Sequence, residues 1–285
     1  MKKMSVLMLP LISLGVIMIL LPSFSSGFQL TYLDPNYTAS QFLTTPFNIS
    51  SIAFDAGKNL YTEPNADFGT GTAYILELYA ATGYSTNSLY ASYPTTEYGI
   101  TGLNFAGTNL AVAEIAQDLN SGLVRLIDPS NNSVISTFNL PNFRPTGITN
   151  DSASNIYFPG RLASNLSFGN IYELDSSFTN LSTVLSNFVG TGIAYNAGDL
   201  FVSTPGNSIY KIDLNTLTSS KIATFNHGIE ELTFDKEGNL YVLEGVTTTE
   251  QQKIVELSPV PEPATMLLLG SGLAGLWGLR RKFRK

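Results

Sequence analysis

The sequence predicts an all-β fold, a β-propeller with five blades preferred to six. The prediction rests on a fivefold internal repeat and on four short strands per repeat. One pattern recurs: an apolar–x–aromatic run or a close variant, a turn, then Asn or Asp followed by an apolar residue. Its copies are Ile52 to Asp55 with Asn59 to Tyr61, Leu103 to Phe105 with Asn109 to Val112, Ile148 to Asp151 with Asn155 to Tyr157, Ile193 to Asn196 with Asp199 to Val202, and Leu232 to Asp235 with Asn239 to Val242. The Asn/Asp anchors stand 50, 46, 44 and 40 residues apart. Short alternating strands at such a period are the signature of propeller blades.

Each element follows from this frame. Period-two alternation buries one face of each strand between blades, and the Asn, Asp and Gly residues supply the hairpin turns. Third strands are expected at Tyr74 to Leu78, Leu123 to Ile127, Ile171 to Leu174, Ile209 to Ile212 and Ile254 to Leu257. Fourth strands follow in the internal copies, as at Ser133 to Phe138 and Ser220 to Phe225. The fifth copy stops after its third strand. Tyr37 to Thr44 resembles the fourth strands elsewhere, and lending it to the last blade closes the ring and removes an open edge. Phe28 to Leu33 resembles a third strand, one strand too many for five blades. A six-bladed ring follows if the ends build an irregular blade.

Three segments are expected: a signal peptide at 1–26, the propeller at 27–259 and a sorting tail at 260–285. Lys2 and Lys3, the apolar run Val6 to Leu21 and the small residues Ser23 to Gly27 form a secretory leader. In the tail, Pro261 and Pro263 hold Glu262 in an extended segment. Met266 to Leu279 is apolar, about 15 residues or roughly 22 Å of helix, short of a ~30 Å hydrocarbon core. Gly270, Gly272, Gly275 and Gly278 make one side of that helix small, which suits close approach to a partner helix. The basic cluster Arg280, Arg281, Lys282, Arg284 and Lys285 stops transfer and fixes the C-terminus in the cytoplasm.

The Pro261-Glu262-Pro263 triplet, the Gly-rich apolar helix and the basic end together resemble the bacterial PEP-CTERM sorting signal. The resemblance implies an exosortase as partner, export through an inner-membrane intermediate, and a final place on the envelope surface or in an exopolysaccharide or biofilm matrix.

The chain has 15 basic and 22 acidic residues and no cysteine. Seven of the basic residues and one acidic residue lie in the two ends, which leaves 8 basic and 21 acidic residues, a net charge of −13, for the rest. So acidic a body excludes nucleic-acid binding by phosphate neutralisation, and it holds an acidic polysaccharide only through a bridging cation. The lack of cysteine excludes disulfides and thiolate chemistry.

The unit Phe234-Asp235-Lys236-Glu237-Gly238-Asn239-Leu240-Tyr241-Val242 resembles those of NHL, gluconolactonase-like (SMP-30) and virginiamycin B lyase-like propellers. That resemblance implies a site at the central channel, with a divalent metal in the lactonase-like members. The loops leading into the innermost strands are then the place for chemistry: Asn48 to Ser50, Glu97 to Gly99, Arg144 to Thr146, Val189 to Thr191 and His227 to Glu231. The last holds the sole histidine. One reading is a catalytic or cation site of His227, Glu230 and Glu231, with Asn48 and Asn150 as neutral oxygen ligands of a calcium ion. The other has His227 capping a turn and the two glutamates solvated. Tyr79, Tyr84, Tyr90, Tyr93 and Tyr98 either stack on sugar rings or pack between blades.

The leading expectation is a non-enzymatic surface propeller without a cofactor that binds polysaccharide or an envelope partner. The alternative is a metal-dependent hydrolase or lyase, with His227 as base and Glu230 as its positioned partner.

Overall fold

A computed structural model describes residues 28, 30–45, 48–64, 72–95, 99–245 and 252–260. The leader, the Pro261-Glu262-Pro263 triplet, the apolar helix and the basic cluster fall outside the described residues. Among the described residues, no helix is long and apolar enough to cross a membrane.

The described part of the chain opens with two strands that serve other blades, β1 (Leu30–Leu33) and β2 (Tyr37–Thr44). Blade one is β3 (Ile49–Phe54), β4 (Leu60–Pro64), β5 (Thr72–Leu78) and β6 (Asn87–Pro94). Blade two is β7 (Gly99–Ala106), β8 (Asn109–Ile115), β9 (Gly122–Asp128) and β10 (Ser133–Leu140). In blade three the inner position is split between β11 (Phe143–Pro145) and β12 (Thr149–Asn150), followed by β13 (Ile156–Leu162), β14 (Asn165–Leu174) and β15 (Leu181–Leu185). Blade four is β16 (Ile193–Asn196), β17 (Asp199–Ser203), β18 (Ser208–Asp213) and β19 (Ser219–Phe225). Blade five is β20 (Ile229–Phe234), β21 (Leu240–Glu244) and β22 (Lys253–Pro259). The innermost strands touch in a closed ring: β3 on β7, β7 on β12, β12 on β16, β16 on β20, and β20 on β3.

The ring closes as the sequence predicts. β2 pairs antiparallel with β22, from Tyr37 opposite Pro259 to Thr44 opposite Lys253. The expectation for Phe28 to Leu33 is corrected. β1 starts no sixth blade; it pairs with β19 as a fifth, outermost strand of blade four. Phe28, Leu30 and Leu33 cover the apolar cluster between blades four and five, which gives this segment the same alternation as a third strand.

The core is divided accordingly. Five apolar clusters each draw on two neighbouring blades, such as Ala53 and Ile75 with Leu103 and Val112, or Tyr157 with Ile193 and Leu200. The repeat residues brace each wedge. In blade five, Asp235 Oδ1 accepts from Asn239 N at 2.9 Å, while Oδ2 accepts from Asn239 Nδ2 at 3.0 Å and Tyr241 Oη at 3.1 Å. Asp55 with Asn59 and Tyr61, and Asp151 with Asn155 and Tyr157, repeat the arrangement in blades one and three. The acids after the third strands have a local task as well. Asp128, Asp175 and Asp213 accept from backbone N–H groups of the turns that follow them, an Asx-type use of a short carboxylate.

The tyrosines resolve toward packing. Tyr93 is buried and its hydroxyl donates to Glu114 at 2.9 Å. Tyr90 packs against Tyr61 and Phe105. Tyr84 packs on Phe42 and donates to the Lys58 carbonyl, and Tyr79 shares a hydrogen bond with Ser88. Tyr98 lies outside the described residues.

Candidate functional site: the hub and its mouth

Alignment of the five inner strands places Ser50, Thr101, Thr146, Thr191 and Glu230 at one level. Ser51, Gly102, Gly147, Gly192 and Glu231 stand at the next level down. The upper level is half-buried and the lower one is buried.

The three glycines make the lower level tight. A Cβ on Gly102 would stand 2.6 Å from the Gly147 backbone, and one on Gly192 would stand 2.8 Å from Glu231 Cα. Side chains are excluded there by neighbouring backbone, so the blades can approach closely. Glu231 fills the remaining space. It is 0 % exposed, and its Oε1 accepts from Leu232 N at 3.0 Å and Ile193 N at 3.3 Å. Its Oε2 has no hydrogen-bond partner among the described residues. Burial raises this carboxyl well above the usual carboxylate range, outweighing the two N–H donors. A fully buried carboxyl, whose neutral form burial favours, therefore occupies the axis. The reading in which both glutamates are solvated is corrected for Glu231, which is 0 % exposed.

Above the plug lies a cavity of about 380 Å³. The upper ring lines it, together with Ile100, Ile115, Ile229 and Arg161. The ring hydroxyls latch parts of the hub together. Thr101 Oγ1 donates to the Pro145 carbonyl at 2.8 Å and Thr146 Oγ1 to the Gly190 carbonyl at 3.0 Å, each across to the next blade. Ser50 Oγ donates to Glu63 Oε2 at 2.6 Å, and the Thr191 and Ser203 hydroxyls share a hydrogen bond of 2.7 Å.

Among the described residues, two ionisable groups line this cavity, Glu230 and Arg161. Burial pushes the Glu230 carboxyl up to about 7, against the lowering effect of its hydrogen bond from Gln252; that bond, Gln252 Nε2 to Glu230 Oε2, is 2.7 Å long. Arg161 projects from the end of β13. Its Nε donates to the Gly190 carbonyl at 3.1 Å. Burial alone acts on the guanidinium, lowering its pKa, and among the described residues no carboxylate pairs with it.

Of the sequence-derived candidates, Glu230 lines the cavity, Glu231 seals its floor, and His227 sits apart with Nδ1 3.2 Å from Glu244 Oε1. Neither Asn48 nor Asn150 lines it. Asn48 is exposed, and Asn150 Oδ1 accepts from Asn104 Nδ2 at 2.8 Å at the far end of the inner strands. Among the described residues no three His, Asp or Glu side chains converge as a metal shell. The hub as described supplies one carboxylate beside a guanidinium, a poor match to the oxygen-rich shell that calcium takes. Arg161 is the residue that sequence reasoning missed. The available signal was positional: Glu63, Glu114 and Glu244 also close second strands at this end, where antiparallel pairing returns the chain to the mouth.

The last described strand ends at Pro259, and Val260 N donates to the Asn36 carbonyl at 2.7 Å. Residues 259–282 match the PEP-CTERM protein-sorting motif. The PEP-CTERM tail thus begins where the propeller closes, and it implies export, exosortase processing and sorting to the cell envelope. No curated protein sequence matches the chain. Among solved structures, similarity extends to a luciferin-regenerating enzyme with 15% identity over 80% of this chain and 81% of that one, TM-score 0.48. The Pan2 WD40 domain of Neurospora crassa aligns with 10% identity over 73% of this chain and 63% of that one, TM-score 0.45. A chain of a nidogen/laminin complex aligns with 11% identity over 65% and 84%, TM-score 0.45.

Proposed function

We propose that this chain is a non-enzymatic surface propeller. It is exported, carried through an inner-membrane intermediate, and processed by an exosortase near Pro261-Glu262-Pro263. It then binds polysaccharide or an envelope partner at the cell surface or in the matrix. The observation that carries this reading is the junction at residue 259, where a closed five-bladed ring meets the sorting motif with no intervening element. A cavity ringed by four hydroxyls on a largely apolar wall can seat a small ligand. Changing Pro261-Glu262-Pro263 to three alanines should leave folding unaltered and abolish processing in an exosortase-bearing host. A mature mass identical to that of the unaltered protein would sink the sorting half of the reading.

One observation favours a second reading, the hydrolase or lyase. A cavity carboxyl with its pKa near 7 is suited to general acid–base work. A thermal melt with calcium, manganese, zinc or EDTA separates the two. A rise of several degrees with one metal, lost in Glu230→Gln, supports the metal enzyme. Superimposable melts support the binding module.

A further inference from the structure

We propose that the cavity above the hub seats one terminal, carboxylate-bearing sugar, its carboxylate on the Arg161 guanidinium and its hydroxyls on the oxygens of Ser50, Thr101, Thr146 and Thr191. The proposal rests on the binding-module reading and names the ligand class for that cavity.

The ligand must carry an anion. Arg161 is half-buried, yet among the described residues its one hydrogen bond is the one from Nε to the Gly190 carbonyl. The planar end of the guanidinium is left with donors in the fork geometry that matches a carboxylate. A desolvated cation without a counter-charge is costly, and a ligand carboxylate relieves that cost.

The ligand must also carry hydroxyls. The ring Ser and Thr groups at Ser50, Thr101 and Thr146 have already given their protons to the hub. What they still offer the cavity is lone pairs, which accept from ligand O–H groups. Ile100, Ile115 and Ile229 supply apolar wall for the C–H faces of a sugar ring.

The ligand must be small and singly charged. The cavity holds about 380 Å³ above a sealed floor, near the lower end of ligand-pocket sizes. A body with a net charge of −13 repels a polyanion along its length. Against the expectation that an acidic polysaccharide needs a bridging cation, a chain end inserted into the cup brings one carboxylate to the Arg161 guanidinium lining it and keeps the rest of the polymer away from the acidic surface.

The test uses the full chain in detergent, titrated calorimetrically with glucuronate, its methyl ester and glucose, and run on alginate and dextran columns. Glucuronate should bind at least tenfold tighter than the ester or glucose, and Arg161→Met should erase that preference while Arg161→Lys keeps part of it. Should Arg161→Met fail to fold, the acid-against-ester comparison on the unaltered chain still decides. Equal binding of acid and ester, or an unaffected Arg161→Met, overturns the carboxylate seat. If dextran and alginate are then retained equally, the binding module survives. Retention of neither polymer, with no response to glucuronate, overturns both.

Discussion

Lys58 Nζ lies 3.2 Å from Asp235 Oδ2, an ion pair that crosses the seam where the fifth blade meets the first. The two partners are unequal. The Lys58 side chain is 38% exposed and also reaches Glu237, whereas the Asp235 side chain is fully buried. Burial pushes the Asp235 carboxyl up, but the Asn239, Lys58 and Tyr241 hydrogen bonds outweigh it and the net shift is downward. Lys58→Met should therefore cost at most about 1 kcal/mol, the usual range for a partly exposed pair. Asp235→Ala should cost about 2–4 kcal/mol, because it strips the acceptor from Asn239 and Tyr241 inside the wedge. Urea denaturation of the two variants checks the ratio. Equal losses would mean that the ion pair, not the buried network, holds the seam.

The hub glycines set a second contrast. At Gly102 and Gly192 a new Cβ meets backbone of the next blade at 2.6 and 2.8 Å, and backbone cannot rotate aside. Gly102→Ala or Gly192→Ala should destabilise by about 3 kcal/mol or more, or prevent closure. Gly107 sits in a turn at φ +66° with nothing within 4 Å of a new Cβ. Gly107→Ala should cost only the left-handed conformation, about 1 kcal/mol. Circular-dichroism melts of the three variants measure the difference.

The fivefold repeat was legible because its Asn and Asp anchors take part in local turns and braces that recur with the chain. Closure by Tyr37 to Thr44 was legible because the fifth copy ends one strand short. Blade number was less legible. Phe28 to Leu33 has the alternation of any strand lying on a core, and alternation does not say which edge it joins. Each of the five lead-in loops contributes at least one residue to the cavity lining. Glu231 read either as a site carboxylate or as solvated, because a glutamate in isolation offers no more; its register with Gly102, Gly147 and Gly192 was the sign that it occupies the axis. Arg161 lay beyond a search of lead-in loops because it enters from the end of a second strand, after Pro159 and Gly160 interrupt the pattern.

Closure gives a third prediction. Removing residues 28–33 takes away an outermost strand and its cover of one apolar cluster. Removing Tyr37 to Thr44 exposes the whole edge of β22 and opens the ring. The first truncation should lower the melting temperature by several degrees and leave a cooperative transition. The second should abolish the cooperative transition or cause aggregation through the bared edge. Two truncations with the same melting temperature would refute β2 as the clasp.

The buried acid at the axis makes stability depend on pH with a definite sign. Glu231 has a folded-state pKa raised well above its unfolded value by burial. The folded state therefore holds a proton that the unfolded chain gives up. The resulting stabilisation is fully present below the unfolded carboxylate pKa and is lost as pH rises through the folded one. Glu230, raised from 4.5 to about 7, acts in the same direction between those values. Stability should thus decline from pH 5 toward pH 9. Glu231→Gln keeps the shape of the plug and the acceptor facing Leu232 and Ile193 but has no proton to lose. The variant should match the unaltered protein near pH 5 and exceed it increasingly as pH rises toward 9, with the slope from Glu230 remaining. Urea midpoints across that range measure it, and parallel curves for the two proteins would show that Glu231 does not carry a proton in the folded state.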